Sequence, residues 1–306
     1  MDAMLPRDAT NIIVNAMTID VEDYFHVSVF DGIVPRQQWD DLESRVCANT
    51  DRLLGIFDDA GVTATFFILG WVAERFPELV RRIASLGHEI ASHGYAHRLV
   101  YDQTPLAFRE DVRRAKGLLE DASGCLIGGY RAPSYSITPR SLWALDILIE
   151  EGYWYDASIF PIMHDRYGIP VSARHPYMLQ RKDGTLIELP GSTVQFGRSN
   201  LPIGGGGYFR ILPYQWTKWG IARLNRVEGQ PAIFYLHPWE IDPEQPRLPV
   251  GLVGRFRHYR NLDRTEDRLR QLLVDFRFGP VRQLIVPRGD ARTRTQGAAT
   301  ALPYVW

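Results

Sequence analysis

Short apolar runs with strand character alternate along this chain with longer stretches of helical spacing, and this alternation strongly constrains the fold. Strands are predicted at residues 11–19, 63–69, 88–92, 126–130 and 232–236. Helices are predicted at residues 39–60, 71–86, 105–120, 139–151, 214–227 and 265–276. Such repetition favours a largely parallel sheet or barrel, in which functional residues gather on loops at the carboxyl ends of the strands. The predicted fold class is therefore α/β.

The alternation stops between residues 162 and 208, where proline, glycine and polar residues become frequent. We expect short strands and long loops there, covering one face of the barrel. The four-glycine run from Gly204 to Gly207 is not followed by the Lys-Ser or Lys-Thr of a phosphate-binding loop. We expect this run to pack its backbone close to substrate or to form a flexible lid.

Composition excludes several classes of function. The chain has 306 residues and a net charge of −1, which argues against a general nucleic-acid binder because such proteins need excess Lys and Arg. Cys47 and Cys125 are too few for a disulfide framework. The amino terminus lacks the pattern of a signal peptide, and no window approaches the roughly 20 apolar residues of a transmembrane segment. The sequence therefore predicts a cytoplasmic protein without a nucleic-acid partner.

His93 and His97 form an H-x-x-x-H pair directly after the predicted strand at residues 88–92. Four residues are about one helical turn, and this spacing can present two imidazoles to one metal ion. A pair of this kind is, by itself, more often two histidines with ordinary hydrogen bonds. Its weight comes from the residues at the ends of the other predicted strands.

An acidic cluster, Asp20-Val-Glu-Asp23, follows the first predicted strand and can supply a third metal ligand. Two histidines and one carboxylate leave positions open for water and substrate, as in catalytic zinc sites. Asp20 and Glu22 point the same way if the strand continues, whereas Asp23 joins them only if the chain turns after Val21. One carboxylate can bind metal while another accepts protons. Alone, the cluster is more often a solvated loop or a helix N-cap.

Three further residues at predicted strand ends could carry chemistry. Arg131 follows an apolar strand, where burial of a guanidinium requires a carboxylate partner such as Asp20. Asp156 is a lone acid among bulky apolar residues. His237 could donate protons if a nearby acid, such as Asp156, held it in its charged form. Each of these residues alone is more often structural, so the prediction rests on their joint occurrence.

The order of the motifs resembles a known family. TIDVED, SHGYAH, RAPSYS, YDASIF and YLHPWE, between Met17 and Glu240, resemble the five motifs of the polysaccharide deacetylases of carbohydrate esterase family 4, which share the NodB homology domain. The stretches DVEDYFHV, GGGGYFR and HPWE resemble most the branch associated with bacterial exopolysaccharide and exosortase loci.

The resemblance implies a distorted (β/α) barrel, a divalent metal that is often zinc, and hydrolysis of N-acetyl groups from amino sugars. It assigns the general base to Asp20, the metal ligands to His93 and His97, the residue orienting the base to Arg131, the acid tethering the catalytic histidine to Asp156, and the general acid to His237. Most members have two adjacent aspartates, base then ligand. Here Val21 intervenes, so the carboxylate ligand is Glu22 or Asp23, and the alignment favours Glu22.

The resemblance also sets expectations for organisation and partners. The chain is expected to be a single catalytic domain, with a core at about residues 12–240, a C-terminal extension at about 241–290 and a flexible tail at 291–306. The expected substrate is an N-acetylated polysaccharide or a lipid-linked glycan precursor. Peripheral association with a glycan-synthesis complex is also expected.

The expected mechanism needs an oxyanion donor and a sugar-binding surface. A backbone N–H near Tyr135 is the candidate donor, and Tyr135, Trp154, Tyr208 and Trp239 are the candidates for stacking against sugar rings. Plain core packing is the alternative for each of these aromatic residues. Two other functions stay open, namely hydrolysis of another C–N bond, in a formamide or ureide, and catalytically silent carbohydrate binding. The complete set of base, ligands and acid argues against the silent protein.

Overall fold

A nine-stranded mixed sheet carries the fold in a computed structural model that describes residues 13–285. The strands are β1 Asn15–Val21, β2 Thr65–Ile68, β3 Glu89–Ser92, β4 Gly129–Tyr130, β5 Tyr155–Asp156, β6 Tyr177–Arg181, β7 Gly184–Glu188, β8 Thr193–Phe196, β9 Ser199–Pro202, β10 Ile233–Leu236 and β11 Phe278–Gly279. The helices are α1 Val46–Asp59, α2 Gly70–Arg75, α3 Pro77–Ser85, α4 Pro105–Ser123, α5 Ala144–Glu150, α6 Gly206–Ile211, α7 Tyr214–Arg223, α8 Leu252–Tyr259, α9 Leu262–Asp275 and α10 Arg282–Ile285.

The strands of the main sheet follow the order β10-β1-β2-β3-β4-β5-β7-β6, and β11 also pairs with β1. Every pairing is parallel except the one between β6 and β7. Strands β8 and β9 form a separate hairpin. Because the neighbouring strands from β10 through β5 are parallel, their carboxyl ends meet at one edge, where a site can form.

Burial explains the sequence pattern of the strands and helices. All seven residues of β1 are buried, including Asn15, Thr18 and Asp20, so buried and exposed positions do not alternate, as expected for a parallel strand covered on both faces. Helix α3 turns Leu79, Val80 and Ile83 toward the core, whereas Arg81 and Arg82 lie at the surface. This helical spacing is the periodic signal on which the sequence prediction relied.

Three predicted helices differ clearly from the structure at their boundaries. The helix expected from Pro139 begins only at Ala144. The helix expected at residues 71–86 is two helices, α2 and α3, because Phe76 precedes Pro77 and has φ −129° and ψ 56°. A residue before proline is sterically disfavoured in the helical conformation. The helix expected from residue 39 begins only at Val46, after a short 3₁₀ helix at Arg36–Asp41.

The glycine run packs against β10. A Cβ atom on Gly205 would lie 2.0 Å from the carbonyl oxygen of Tyr235, and one on Gly206 would meet the Tyr235 ring at 2.6 Å. Gly205 and Gly206 also have φ of 86° and 50°. The run therefore brings α6 against β10, where the sequence suggested a lid or a backbone close to substrate. Strands β6 and β7 likewise extend the main sheet, which the sequence did not predict.

The C-terminal extension returns to the first strand, since β11 pairs with β1 at Asn15 and Ala16. The division into core and extension stays a prediction, and the tail at 291–306 lies outside the described residues. Among residues 13–285, no helix combines the length and the apolar character needed to cross a bilayer.

Candidate metal and hydrolytic site

The carboxyl ends of four strands bring together the residues that the sequence singled out. Asp20 and Glu22 lie at the end of β1, and His93 and His97 follow β3. Arg131 follows β4, and His237 follows β10. All six side chains are buried or nearly so, with side-chain exposures of at most 17% where they form ion pairs.

Glu22, His93 and His97 form a buried triad whose potential ligand atoms all lie within 4.8 Å of one another. Nδ1 of His93 donates to the carbonyl oxygen of Arg131 at 2.8 Å, which leaves Nε2 available for a metal. Nε2 of His97 lies 2.9 Å from Oε2 of Glu22. Despite this short distance, that buried Oε2 atom accepts no well-oriented hydrogen bond from residues 13–285, as expected where a cation would complete its surroundings.

The protonation states of His93 and Glu22 suit a divalent cation. Burial lowers the pKa of His93 to about 4, so its imidazole is neutral at pH 7. Burial alone would raise the pKa of Glu22, but His97 and His237 beside it lower the pKa overall. Neutral imidazoles and an ionised carboxylate are the forms in which these groups bind zinc and similar metals.

The histidine pair lies on a loop, so the helical explanation of its spacing is wrong. Residues 93–97 have no regular secondary structure, and Gly94 and His97 both have positive φ, 73° and 48°. A left-handed conformation at a non-glycine residue is unfavourable and is found mostly where the surroundings impose it, often at functional sites. The loop, rather than a helical face, directs both imidazoles toward Glu22.

Asp23 lies outside the triad. Its Oδ1 accepts a hydrogen bond from the backbone N–H of Tyr24, and its Oδ2 accepts from Ser44 Oγ and from the backbone N–H groups of Arg45 and Val46. The carboxylate therefore satisfies donors at the start of α1. The structure thus separates the two alternatives that the sequence left open, with Glu22 in the cluster and Asp23 in a cap.

Asp20 is paired with Arg131, as the sequence suggested. Nη1 of Arg131 donates to Oδ1 of Asp20 at 2.6 Å and to Oγ1 of Thr18 at 2.8 Å, and Nε donates to the carbonyl oxygen of Ala157. The guanidinium also lies 4.2 Å from the centre of the Phe67 ring. This arrangement fixes one oxygen of Asp20, while Oδ2 lies 3.9 Å from Nε2 of His237.

His237 is oriented by Glu240 and not by Asp156, so the predicted Asp156–His237 tether is wrong. Nδ1 of His237 lies 2.5 Å from Oε1 of Glu240, and Nε2 lies 3.1 Å from Oε1 of Glu22. Burial lowers the pKa of His237, but the carboxylates of Glu22 and Glu240 outweigh it and raise the pKa to about 9. The imidazole is therefore charged at pH 7 and can donate a proton from Nε2.

The partner of Glu240 is Arg210, a buried arginine of α6. Its Nε donates to Oε2 of Glu240. The rest of the guanidinium donates to the carbonyl oxygens of Arg257, His258 and Arg260, at and just beyond the end of α8. The hydrogen-bonded series Arg210–Glu240–His237 thus links α6 and α8 to His237, the expected proton donor.

Asp156 instead faces a second buried carboxyl group, Glu188 on the neighbouring strand β7. It also accepts a hydrogen bond from Ser158, and Glu188 accepts one from the backbone N–H of Ile159. Burial raises the pKa of Asp156 to about 6. Burial and the neighbouring charge of Asp156 raise the pKa of Glu188 well above its ordinary value. Two carboxyl groups this close share a proton more readily than they both ionise.

A cleft of 470 Å³ opens beside His237 and is lined in part by Ser134, Tyr208 and Tyr235. Tyr208 is one of the predicted sugar-binding residues, and its hydroxyl group lies 3.1 Å from that of Tyr167. The cleft is also bounded by Arg166 and Arg257. Its size suits a substrate group of one or two sugar rings.

The other three predicted aromatic residues expose little or no ring surface to the cleft, and only Trp239 lines it. Trp239 lines the cleft but is 3% exposed, and its ring stacks with His237 and His258. Tyr135 is buried beside Phe160, Tyr167 and Tyr235. Trp154 is half exposed and packs over Gly128 at the start of β4, away from the site. Their contacts are those of packed aromatic side chains, and sugar stacking by these three residues stays a prediction.

The backbone around Tyr135 is strained. Ser134 and Tyr135 have φ of 52° and 53°, and the N–H of Tyr135 donates to the carbonyl oxygen of Ala132 at 3.1 Å. The N–H of Tyr135 itself is therefore engaged, and an oxyanion donor from a neighbouring backbone N–H near Tyr135 stays a prediction. The hydroxyl group of Ser134 lines the cleft and lies 3.2 Å from that of Ser28.

Sequence reasoning missed Glu240, Arg210 and Glu188. A signal existed for the first two, because Glu240 belongs to the HPWE motif and Arg210 to GGGGYFR. A glutamate three residues after a histidine can reach back to it in a helical turn, as Glu240 does from the 3₁₀ helix at Pro238–Ile241. Glu188 carries no comparable signal, since it is one acid in an apolar strand.

Comparisons with known proteins agree with this geometry. Residues 37–148 match the family Polysaccharide deacetylase, and residues 157–286 match Domain of unknown function (DUF3473). The chain is 29% identical over 135 residues to a peptidoglycan deacetylase from Helicobacter pylori, covering 43% of this chain and 45% of that protein. It is 33% identical over 98 residues to a peptidoglycan-N-acetylglucosamine deacetylase from Bacillus cereus, covering 32% and 36%.

A solved structure extends the likeness to nearly the whole fold. A protein from Mycobacterium smegmatis, assigned to the polysaccharide deacetylases, superposes with a TM-score of 0.61 at 24% identity and covers 92% of each chain. Residues 37–148 therefore form a polysaccharide deacetylase domain, as the order of the motifs indicated, and the predicted distorted (β/α) barrel fold is confirmed. The chain spans less than half the length of the curated relatives it matches.

Proposed function

We propose that this protein is a metal-dependent hydrolase that removes N-acetyl groups from amino sugars of a polysaccharide or a lipid-linked glycan precursor. The observation that carries the proposal is the Glu22–His93–His97 triad, flanked by Asp20 on one side and His237 on the other. The match to the polysaccharide deacetylase family and the names of the relatives, which act on peptidoglycan, support an acetylated sugar as substrate.

Two imidazoles and one carboxylate are the donor set of many catalytic zinc sites, so we propose zinc as the resident metal. A divalent metal held by this triad would act as a Lewis acid toward the acetyl carbonyl group and would make a water molecule more acidic. The cytoplasmic location expected from the sequence stays a prediction. The match to DUF3473 supports placing the protein in the exopolysaccharide-associated branch, so we propose a glycan of exopolysaccharide synthesis as the substrate.

The residues of the chain divide the proton transfers between them. Asp20, held through Oδ1 by Arg131, accepts the proton of the attacking water at Oδ2. The water oxygen bonds to the acetyl carbon, and the C–N bond of the amide then breaks. His237, held through Nδ1 by Glu240, donates the proton from Nε2 to the departing amine, without which the amine would be a poor leaving group. The products are acetate and the free amino sugar.

The test is acetate release from N-acetylated chito-oligosaccharides by the purified protein, with metal analysis of the same preparation. We expect release to stop when a chelator removes the metal and to return when zinc is added. His93→Ala should lose the metal yet keep its circular dichroism spectrum. Stoichiometric metal in His93→Ala would contradict the ligand assignment, and acetate release that survives complete metal removal would contradict metal-dependent hydrolysis.

A further inference from the structure

The segment from residue 245 to 262 has an unusual charge for a chain with a net charge of −1. It contains the four arginines Arg247, Arg255, Arg257 and Arg260 and no aspartate or glutamate. None of these arginines takes part in an ion pair among residues 13–285. Four positive charges without carboxylate partners therefore lie on and around the short helix α8.

The same helix exposes large apolar side chains to solvent. Leu252 is 85% exposed, Val253 is 65% exposed and Phe256 is 50% exposed. Leu252 and Phe256 line a pocket of 450 Å³ together with Arg247, Arg255 and Arg260. These five residues and Val253 together form what we call the basic-apolar patch, namely Arg247, Leu252, Val253, Arg255, Phe256 and Arg260. Exposed apolar residues among unpaired arginines are typical of a surface that binds a partner.

The basic-apolar patch shares helix α8 with part of the wall of the candidate catalytic cleft. Gly254, Arg257 and His258, all on α8, line the cleft that contains His237. On another part of the cleft wall, Met163 is 88% exposed beside His164, and Arg166 follows two residues later. Apolar tips and cationic groups therefore occur on two separate segments that border the same opening.

Helix α8 is fixed to the floor of the site on its inner side. His258 is buried and its Nε2 lies 2.8 Å from Oε1 of Gln245, while Arg210 donates to the carbonyl oxygens of Arg257 and His258. The helix is therefore attached firmly by its last turn. Its first turn and its arginine side chains extend toward solvent.

We infer that the basic-apolar patch docks the protein on an anionic phospholipid surface, with the cleft facing the bilayer. Leucine, valine and phenylalanine side chains can enter the interface between headgroups and acyl chains, while arginines bind lipid phosphates. A polysaccharide alone offers nothing to bury Leu252 and Val253. A bilayer could also deliver a lipid-linked substrate to the cleft, because the same helix forms part of the cleft wall.

Co-sedimentation with lipid vesicles tests this docking without any deacetylase measurement, so its outcome is separate from that of the proposed function. We expect the wild type to sediment with vesicles that contain phosphatidylglycerol and to remain in solution with phosphatidylcholine alone. Binding should weaken as salt rises, because the lipid charges are screened. Arg255→Gln with Arg260→Gln should weaken binding about 25-fold, at about fivefold per arginine.

The apolar contribution and the control need separate variants. Leu252→Ser with Phe256→Ser should weaken vesicle binding by at least about tenfold, because less apolar surface enters the bilayer. Val274→Ser with Arg226→Gln and Arg277→Gln alters exposed residues near the amino end of β1, at the opposite end of the sheet, and should bind like the wild type. All proteins are first checked for folding by circular dichroism.

Two results would overturn the inference. One is equal vesicle binding, or equal absence of binding, by the wild type, both patch variants and the control. The other is retention on an immobilised acidic polysaccharide such as polygalacturonate that requires the arginines but not Leu252 and Phe256, without vesicle binding. That second result would assign the arginines to an acidic glycan.

Discussion

Among single residues, Glu240 is the one that the structure most clearly connects to catalysis although the sequence alone did not assign it a role. It contacts Nδ1 of His237 with one oxygen and Arg210 with the other, and it is fully buried. A buried carboxylate in this position both orients the imidazole and favours its charged form. Asp156, to which the family resemblance assigned this task, faces Glu188 instead.

We expect Glu240→Gln to reduce kcat for N-acetylated oligosaccharides by about 10- to 100-fold, within the range for general acid catalysis. Rates with 4-nitrophenyl acetate should fall much less, because the nitrophenolate leaves without a proton. Loss of a carboxylate that raises the pKa of His237 should also move the alkaline loss of activity to lower pH. Equal losses with both substrates, and an unchanged pH profile, would give Glu240 a structural role only. Glu240→Asp should recover part of the activity.

Glu22 and Asp23 are adjacent acids with different tasks, and their substitutions should separate metal binding from stability. Glu22→Ala should lose the metal, because one of three potential ligands is gone. Asp23→Ala should keep it and lower the free energy of unfolding by about 2–4 kcal/mol, since several N–H and O–H donors lose their acceptor. Metal analysis and urea unfolding measure the two effects. Loss of metal in a fully stable Asp23→Ala protein would reverse the assignment.

Among the secondary-structure elements, the strand ends could be predicted from the sequence because short segments rich in apolar residues alternate with helical patterns along the chain. The polar residues that follow β1, β3, β4 and β10 therefore marked one edge of a parallel sheet. Helix α8 could not be predicted in this way. Its large apolar side chains face solvent, and its eight residues are fewer than the window of about 11–18 residues over which a helical period is recognised.

Helix α6 was missed for a different reason. It begins within the glycine run, and glycine is a poor helix former, so local propensity argues against a helix there. The close approach of Gly205 to Tyr235 in β10 places the helix and thereby Arg210. Only contacts distant in sequence, which a single sequence does not display, select this arrangement.

We expect Gly205→Ala to lower the free energy of unfolding by about 3 kcal/mol or more, through overpacking and a left-handed backbone. A Cβ atom there would lie 2.0 Å from a carbonyl oxygen at φ 86°, and the backbone of β10 cannot move aside easily. Gly207→Ala is the matched control, because its Cβ would meet only Arg210 at 3.9 Å. Urea unfolding compares the two variants. Equal stability of both would show that α6 tolerates displacement from β10.

For the molecule as a whole, the most unusual internal charge arrangement is the Asp156–Glu188 pair between β5 and β7. Both carboxyl groups are completely buried, and one oxygen of each lacks a hydrogen-bond partner among the described residues. A shared proton would satisfy both oxygens, and its loss would leave two negative charges in the interior. The pair therefore couples the stability of the barrel to pH.

The sign of this coupling follows from the raised pKa values. The pKa of Asp156 rises from 3.8 to about 6 in the folded protein, and that of Glu188 rises as well, in both cases first because of burial. Stability from the protonated pair is fully present below the ordinary pKa of about 4 and is lost as pH rises through about 6 and beyond. Replacing one acid by an amide keeps a donor in the pair at every pH.

We therefore expect Glu188→Gln to raise the free energy of unfolding by about 1–3 kcal/mol near pH 8 and to change it little near pH 4. The amide N–H₂ group can donate to Asp156 whatever the pH, so the penalty for two adjacent charges disappears. Urea unfolding between pH 4 and pH 8 measures the difference. A chelator is present throughout, so that metal loss at low pH does not affect the comparison. Glu110→Gln, at an exposed position on α4, is the control. Parallel stability curves for the wild type and Glu188→Gln would mean that the carboxyl pair does not set the pH dependence.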